Sequence, residues 1–517
     1  MPFINNLYLG ISSGLLKEIE QSRKAPFPYQ AEGFKSLIEN GKESLFGKEH
    51  GFDKITSIQE FQKAVPIRDY NKFVPYINRL RQGEDYVLWN QRVKWFAKSS
   101  GTSSDKSKFI PITPDSLTIN HYGGFRRMLA SYIDNNPASK LYSGRALTLG
   151  GSVTPEPMGG GSNVALSGDL SAILLKNSPA IVELIRTPKI ETALLEDFNT
   201  KIERICAESS KQNVTNFAGV PSWNLILLNR ILEYTGKKNI SEVWPNMELF
   251  MHGGIGFEPY RDIFKKIIPS PRMHYLENYN ASEGYFAFQD HLSVTSMLLT
   301  VNNGIFYEFI PMENLEKVVS GEIKEIPTLE DVKAGVHYAV VISTVGGLWR
   351  YLIGDCVKFT SLYPHRIKIT GRTQLCINAF GEELMIENAE RALTDACIQC
   401  KCNIRDFTVS PVFMQLAQGG KATRGYHKWA VEFMTPPQDP AEFEKALDDA
   451  ITRQNSDYEA KRKNSATMEQ LKMISLPEGT FYKWMESRSK LGGQNKVPRL
   501  YPDSRFVDDL LKIANEQ

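Results

Sequence analysis

A run of hydroxyl and lysine side chains follows the apolar residues 93–97. It consists of Lys98, Ser99, Ser100, Gly101, Thr102, Ser103, Ser104, Asp105, Lys106, Ser107 and Lys108. Backbone N–H groups of a glycine-containing turn and Ser or Thr hydroxyls can surround phosphate oxygens, and lysine adds positive charge. The Walker A spacing G-x-x-x-x-G-K-[ST] is absent from the chain. The run therefore predicts a phosphate-binding loop of another type, with a solvated Ser-rich turn as the alternative.

A hydroxyl and a carboxylate stand side by side after the strand-like residues 273–278. The segment is Tyr279, Asn280, Ala281, Ser282, Glu283 and Gly284. A serine and a glutamate at the end of a strand suit a contact to an α-phosphate and a ligand for Mg²⁺. An exposed turn is the alternative interpretation.

Another carboxylate, Asp355, follows Gly354 in the segment 351–356. Its two oxygens match the two neighbouring hydroxyls of a ribose, whereas a strand-end aspartate without a ligand is the alternative. Arg372 follows Gly371 and offers a fixed guanidinium. Lys496 lies in a loop between glycines and Pro498, where a lysine without a partner is the ordinary interpretation.

The elements that must position these residues differ along the chain. Residues 1–95 have mainly helical patterns with a break at Pro66. From about residue 95 to 370, short apolar runs alternate with helix-like runs, which predicts an α/β domain with layered sheets. The predicted strands are 146–151, 216–221, 249–254 and 337–344, and the predicted helices are 197–209 and 223–234.

The pattern of apolar and polar residues changes near Arg372, which predicts a domain boundary. Beyond it come a helix at 387–400, strands at 407–415 and 426–434, and a helix near 440–454. We therefore expect a mixed α/β fold, with a large N-terminal domain of residues 1–371 and a small C-terminal α+β domain of residues 372–517.

Composition excludes several classes of function. The chain has 517 residues, and 61 Lys and Arg against 59 Asp and Glu give a net charge of +2, which favours neither nucleic acid nor an anionic membrane as partner. No apolar run approaches the roughly 20 residues that span a bilayer. The N-terminal residues lack the pattern of a secretory signal, and the 6 cysteines lack zinc-finger spacing, so we expect a cytoplasmic protein.

The order of the motifs resembles the adenylate-forming enzyme superfamily. The segments SSGTSSDKSKFIP, YNASEGYFAFQ, YLIGDCVKF and GGQNKVPRL look like its Gretchen Hagen three branch, which holds the plant auxin-responsive acyl acid amido synthetases and their bacterial relatives. The chain looks like a bacterial-type member. The resemblance covers nearly the whole sequence and implies the superfamily fold, with a multi-sheet N-terminal domain and a mobile C-terminal domain.

The resemblance implies a ligase that joins a carboxylic acid to ATP and then passes the acyl group to an amine, usually an amino acid. By motif match, Ser99, Ser100, Gly101, Thr102, Ser103 and Lys108 would enclose the β- and γ-phosphates. Tyr279 belongs to the nucleotide motif, Ser282 would reach the α-phosphate and Glu283 would hold Mg²⁺. Asp355 would accept the ribose hydroxyls with help from Arg372. Lys496 would act in catalysis between the attacking carboxylate and the α-phosphate.

Three points stay open at this stage. Arg127 is at the position where relatives place an arginine that meets the acid's carboxylate, and a surface arginine is the alternative. Gln374 and Asn378 replace a common acidic hinge residue and a lysine, so the resemblance does not fix how the C-terminal domain rotates. An acid–thiol ligase that uses coenzyme A and a non-catalytic nucleotide-binding protein are the competing functions.

Overall fold

The computed structural model describes residues 2–100, 107–157, 164–373, 376–415, 423–463, 467–487 and 499–515. Some residues with predicted roles lie outside this part of the chain, namely Gly101, Thr102, Ser103, Gln374 and Lys496. For Ser100, only the backbone is described.

The N-terminal part of the chain is helical, as predicted. Its helices are α1 (Pro2–Lys24), α2 (Pro26–Gly41), α3 (Leu45–Glu49), α4 (Ile58–Ala64) and α5 (Tyr70–Arg81). Helix α4 begins with a capping box, in which the Ser57 hydroxyl accepts from the Glu60 N–H and the Glu60 carboxylate accepts from the Ser57 N–H. The break predicted at Pro66 lies between α4 and α5.

Strands and helices alternate in the next part of the chain. Its strands are β1 (Trp95–Ser100), β2 (Ser107–Ile112), β3 (Arg145–Leu147), β4 (Val153–Pro157), β5 (Val164–Gly168), β6 (Arg186–Thr187), β7 (Val214–Gly219), β8 (Leu249–His252), β9 (His274–Ala281), β10 (Gly284–Phe288), β11 (Met297–Leu299), β12 (Ile305–Pro311), β13 (His337–Thr344), β14 (Tyr351–Leu362) and β15 (His365–Arg372). Its helices are α6 (Tyr122–Asn135), α7 (Leu170–Lys176), α8 (Ile190–Ala193), α9 (Phe198–Ser209), α10 (Pro221–Thr235), α11 (Ile240–Val243), α12 (Glu258–Ile267) and α13 (Leu315–Val319).

The predicted strands in this part are confirmed, but three end earlier than expected. The strand predicted over 216–221 ends at Gly219, and helix α10 begins at Pro221. The strand predicted over 146–151 ends at Leu147, and the strand predicted over 249–254 ends at His252. Glycine pairs follow both strands in the sequence, and Gly254 adopts φ +81°, a conformation that turns the chain out of the sheet.

Eleven strands of the described chain form one mixed sheet in the order β12-β13-β14-β15-β11-β10-β9-β8-β7-β3-β6. Strands β7, β8 and β9 are parallel neighbours, and β9 turns into antiparallel β10 through Ser282 and Glu283. In the antiparallel pair of β14 and β15, Asp355 lies opposite Arg372. A second sheet has the order β2-β1-β5-β4 and places Ser99 opposite Lys108.

The C-terminal part of the chain is a smaller α+β layer. It contains β16 (Cys376–Ile377), β17 (Leu384–Met385), α14 (Ile386–Cys400), β18 (Asn403–Val412), β19 (Tyr426–Thr435), α15 (Pro440–Gln454), α16 (Ser456–Lys463), β20 (Lys472–Leu476), α17 (Thr480–Ser487) and α18 (Arg505–Asn515). The helices and strands predicted here are confirmed. Strand β19 pairs antiparallel with β18 and parallel with β20.

One hydrophobic core includes residues from both sides of Arg372. Phe264 and Phe250 belong to it together with Phe380 and Trp429. The Tyr260 hydroxyl on α12 donates a 2.7 Å hydrogen bond to the Ala379 carbonyl. The division into residues 1–371 and 372–517 therefore stays a prediction, because the two parts pack closely.

No helix in the described ranges is both long and apolar enough to cross a membrane.

Candidate active site

Tyr279, Asp355 and Arg372 form one chain of a hydrogen bond and an ion pair, and the strands of Asp355 and Arg372 are paired neighbours. The Tyr279 hydroxyl on β9 donates to Asp355 Oδ2 on β14 at 2.5 Å. Arg372 Nε on β15 lies 3.4 Å from Asp355 Oδ1, and Arg372 Nη1 donates to Glu383 Oε1 at 2.7 Å. Gly354 adopts φ +94°, in the region that favours glycine, directly before Asp355. The predicted ribose-binding carboxylate is thus held from two sides.

A second carboxylate lies close to this chain. Tyr351 donates from its hydroxyl to Glu283 Oε1 at 3.3 Å, and Lys108 is near enough to favour the charged form of Glu283. Lys108 is only 9% exposed, with its Nζ 5.9 Å from the ring centre of Tyr70. Four stretches of chain, from β2, β9–β10, β14 and β15, therefore converge here.

Burial controls the electrostatics of this cluster. It raises the pKa of Glu283, while Lys108 opposes the shift. Burial also raises the pKa of Asp355, against the opposing effects of Arg372 and of the Tyr279 hydrogen bond. Glu383 is the largest contribution that raises the pKa of Arg372, and Asp355 adds to it. The site thus holds two partly buried carboxylates that lie beside cations.

The predicted phosphate-binding residues are placed only in part. Ser99 lies on β1 opposite Lys108, and Ser282 lies in the turn directly before Glu283. Gly101, Thr102, Ser103 and Lys496 lie outside the described residues, so their predicted roles stay predictions.

Arg127 is placed apart from this cluster. Its Nη2 lies 3.1 Å from Glu18 Oε1 and 3.3 Å from the Asn302 carbonyl oxygen. Arg127 is 7% exposed, and its Nε has no hydrogen-bond partner. The predicted contact to the acid's carboxylate therefore stays a proposal, and Arg127 Nε has a donor free for it.

Sequence reasoning assigned no role to Tyr351, Glu383 or Asn378. Tyr351 opens the segment that contains Asp355, so its place in the motif was the available signal. Glu383 gave no signal, because only folding brings it to Arg372. Asn378, at the position of a common lysine, donates from Nδ2 to the Gly254 carbonyl at 3.3 Å.

A cavity of about 260 Å³ lies beside the N-terminal half of β9. Its lining includes His252, Arg261, Tyr275, Glu277 and Gln289. The Tyr275 hydroxyl and His252 Nδ1 are buried without a hydrogen-bond partner. Burial raises the pKa of Glu277, although Lys368 and Arg261 oppose the shift. The cavity thus offers unsatisfied polar groups to a ligand.

The donor set at Glu283 fits a magnesium ion bound mainly by a substrate. Within the described ranges, no group of three His, Cys, Asp or Glu could hold a metal ion. Mg²⁺ is usually bound by one or two carboxylates together with substrate phosphates. The Glu283 carboxylate, with one 3.3 Å hydrogen bond from Tyr351, has free lone pairs for such a role.

Several curated proteins are similar to this chain. The 4-substituted benzoates-glutamate ligase GH3.12 of Arabidopsis thaliana is 23% identical over 428 residues, which are 69% of this chain and 71% of that protein. Jasmonoyl--L-amino acid synthetase JAR4 of Nicotiana attenuata is 21% identical over 466 residues, or 76% and 78% of the two chains. Both names describe a ligase or synthetase whose substrates include an amino acid.

Solved structures share the fold. AtGH3.15 acyl acid amido synthetase in complex with 2,4-DB has a TM-score of 0.60 at 16% identity and covers 96% of this chain and 95% of its own. The 2-hydroxyisobutyryl-CoA ligase in complex with 2-HIB-AMP and CoA has a TM-score of 0.57 at 13% identity, with 96% and 94% covered.

Family models match three stretches of the sequence. The GH3 family N-terminal domain matches residues 15–273, the central domain residues 298–372 and the C-terminal domain residues 387–505. These matches show that the chain belongs to the GH3 family.

Proposed function

We propose that this protein is an ATP-dependent acyl acid amido synthetase. It activates a carboxylic acid as an acyl-adenylate and transfers the acyl group to an amine, most simply an amino acid. The observation that carries the proposal is the meeting of Glu283 with the Tyr279–Asp355–Arg372 chain. The names of the curated GH3 relatives support the same reaction.

Strand β9 supports one orientation of the nucleotide. Asp355 binds the ribose next to Tyr279, and Ser282 contacts the α-phosphate at the end of the strand. A strand rises about 3.3 Å per residue, so Glu277 lies roughly 13 Å from Ala281, the last residue of β9. The base then extends toward the 260 Å³ cavity beside Glu277, while the β- and γ-phosphates extend toward Ser99, Ser100, Gly101, Thr102, Ser103 and Lys108.

In the first step, cations stabilise the negative charge of the two reactants. An acid oxygen forms a bond to the α-phosphorus as the bond to the bridging oxygen of pyrophosphate breaks. Both reactants are anionic, so the step needs fixed positive charge more than a general base. Lys108 and Lys496 supply that charge, and Glu283 holds Mg²⁺, which neutralises phosphate charge when bound. Arg127 is our candidate for the acid's carboxylate.

The second step transfers the acyl group. The amine nitrogen forms a bond to the acyl carbon, AMP leaves with the electron pair of the broken C–O bond, and the amine loses a proton. We place a mobile boundary at Arg372, between residues 1–371 and 372–517, because Arg372 contacts both Asp355 and Glu383. The six free cysteines support a reducing cytoplasmic location.

Acid-dependent exchange of pyrophosphate into ATP tests the first step. We expect exchange with the wild type and a loss of about 10²-fold or more in Lys496→Ala, with an unchanged melting temperature. Lys483→Ala is the matched control on an exposed face and should retain exchange. Equal exchange in Lys496→Ala and wild type would refute the assignment of Lys496.

The acceptor is tested separately. Purified protein with ATP, Mg²⁺ and an activated acid is given either amino acids or coenzyme A. Amide product with an amino acid supports the proposal, whereas thioester alone would identify an acid–thiol ligase. Nucleotide binding without exchange for any acid would identify a non-catalytic binding protein.

A further inference from the structure

The helix that contains α6 begins with a π turn over Ser116–His121. Such turns are rare and occur often at functional sites. The last two residues of this turn both contact the β9–β10 hairpin. Asn120 Oδ1 accepts from the Tyr285 N–H at 2.6 Å, and His121 Nδ1 lies 3.1 Å from Asn280 Oδ1. The turn therefore fixes the hairpin that carries Ser282 and Glu283.

The hydrogen bond to Asn280 fixes the tautomer of His121. Because a carbonyl-type oxygen accepts there, Nδ1 carries the proton and Nε2 carries a lone pair. His121 is 2% exposed, and its Nε2 has no hydrogen-bond partner. Burial lowers the pKa of His121 to about 4, against the effect of Asn280, so the ring stays neutral near pH 7. A buried acceptor without a donor is unfavourable and calls for a ligand or a water.

The position of Asn280 on β9 indicates which substrate binds on the side of His121. Successive side chains of a strand point to opposite faces, so Asn280 lies on the face opposite Tyr279 and Glu277. The nucleotide, as proposed above, occupies the Tyr279 face as far as the turn at Ser282. The acid must meet the α-phosphate at this turn, which leaves the Asn280 and His121 face for its acyl group.

We propose that Nε2 of His121 accepts a hydrogen bond from the acid substrate, so that the enzyme selects acids whose acyl group bears a hydroxyl or amino donor. The inference rests on the proposed function and names the substrate class of the same site. An acid without such a donor leaves the buried acceptor unpaired, which corresponds to a loss of roughly 5–150-fold in kcat/KM.

The test uses pairs of aryl and aliphatic carboxylic acids that differ by one hydroxyl or amino group. In pyrophosphate exchange we expect at least one donor-bearing acid to exceed its partner by about tenfold or more in kcat/KM. In His121→Phe the ratio should fall close to one. His365→Phe is the matched control, because His365 is also a buried histidine with an unpaired ring nitrogen, and it should keep the wild-type ratio.

A second measurement needs no variant. The wild-type protein, with its 8 histidines labelled with ¹⁵N, is titrated with the preferred acid and ATP, and the Nε2 resonance of His121 should shift as it accepts a hydrogen bond. An unmoved resonance, or equal ratios in wild type and a folded His121→Phe, would overturn the inference. If no acid supported pyrophosphate exchange, that result would instead overturn the proposed function, and this inference with it.

Discussion

The Tyr279 hydroxyl and the Asp355 carboxylate are joined by a 2.5 Å hydrogen bond, although 76 residues separate them in the chain. Three strands, β10, β11 and β15, stand between β9 and β14 in the hydrogen-bonded order. The sheet must therefore curl until the two strands face each other across its concave side. One oxygen of Asp355 is oriented by Tyr279 and the other lies near Arg372.

Asp355→Asn should raise the KM for ATP about tenfold or more, because an amide presents only one acceptor oxygen to the ribose hydroxyls. Tyr279→Phe should have a smaller effect in the same direction, since the carboxylate remains but loses its orienting donor. Steady-state pyrophosphate exchange at varied ATP measures both. Tyr482→Phe, at a tyrosine that is 57% exposed, is the control and should match the wild type.

Glu283→Gln should stabilise the fold while it abolishes magnesium-dependent exchange. Burial raises the pKa of Glu283 in the folded state, so the folded protein holds this proton more tightly than the unfolded chain. The ionised carboxylate therefore lowers the free energy of unfolding as pH rises from its ordinary pKa through the raised one. The melting temperature of Glu283→Gln should exceed that of the wild type at pH 7, and the gap should close below the ordinary pKa of glutamate. A lower melting temperature at pH 7 would contradict this account.

The pH profile of exchange should lose activity on acidification above the usual range of carboxyl groups. Burial raises the pKa of both Glu283 and Asp355, and both must be ionised to bind Mg²⁺ and ribose. The acidic limb of kcat/KM reports these groups in the free enzyme. A limb at the pKa of a solvated carboxylate would show that neither group controls activity.

Glu277→Gln should weaken discrimination between ATP and inosine triphosphate. In the proposed orientation, the Glu277 carboxylate accepts from the amino group of adenine, whereas inosine presents a carbonyl oxygen at the same place. Glutamine can donate to that carbonyl, so the ratio of the two kcat/KM values should fall about tenfold. Glu478→Gln, at an exposed carboxylate, should leave the ratio unchanged. An unchanged ratio in Glu277→Gln would place the base elsewhere.

Arg350→Met should destabilise the protein by about 3–5 kcal/mol, because it leaves the buried Glu308 carboxylate without its cation. Arg350 Nη2 lies 2.9 Å from Glu308 Oε1, and both side chains are at most 1% exposed. Denaturant unfolding measures the change. Arg230→Met breaks an ion pair with Glu233 in which both side chains are more than 40% exposed, and it should cost about 1 kcal/mol or less. Equal losses in the two variants would refute the role of burial.

The sequence by itself determined much of the local structure. Strand 337–344 was predictable because the periodicity of its apolar residues depends only on neighbouring residues. Helix 440–454 was predictable for the same reason, and Asp439 caps it directly before Pro440. The motif residues Glu283 and Asp355 were also identifiable, since their residue types and glycine neighbours limit the chemistry they can perform. Their roles stay proposals, although folding brings them close together.

Only the tertiary structure decided which side chains meet. The curl of the sheet brings Tyr279 to Asp355, and the close packing of the C-terminal part brings Glu383 to Arg372. The tertiary structure also pairs Arg127 with Glu18 and leaves Nε2 of His121 without a hydrogen-bond donor. Such contacts depend on the combined twist and packing of many elements. A local pattern in the sequence therefore does not predict them.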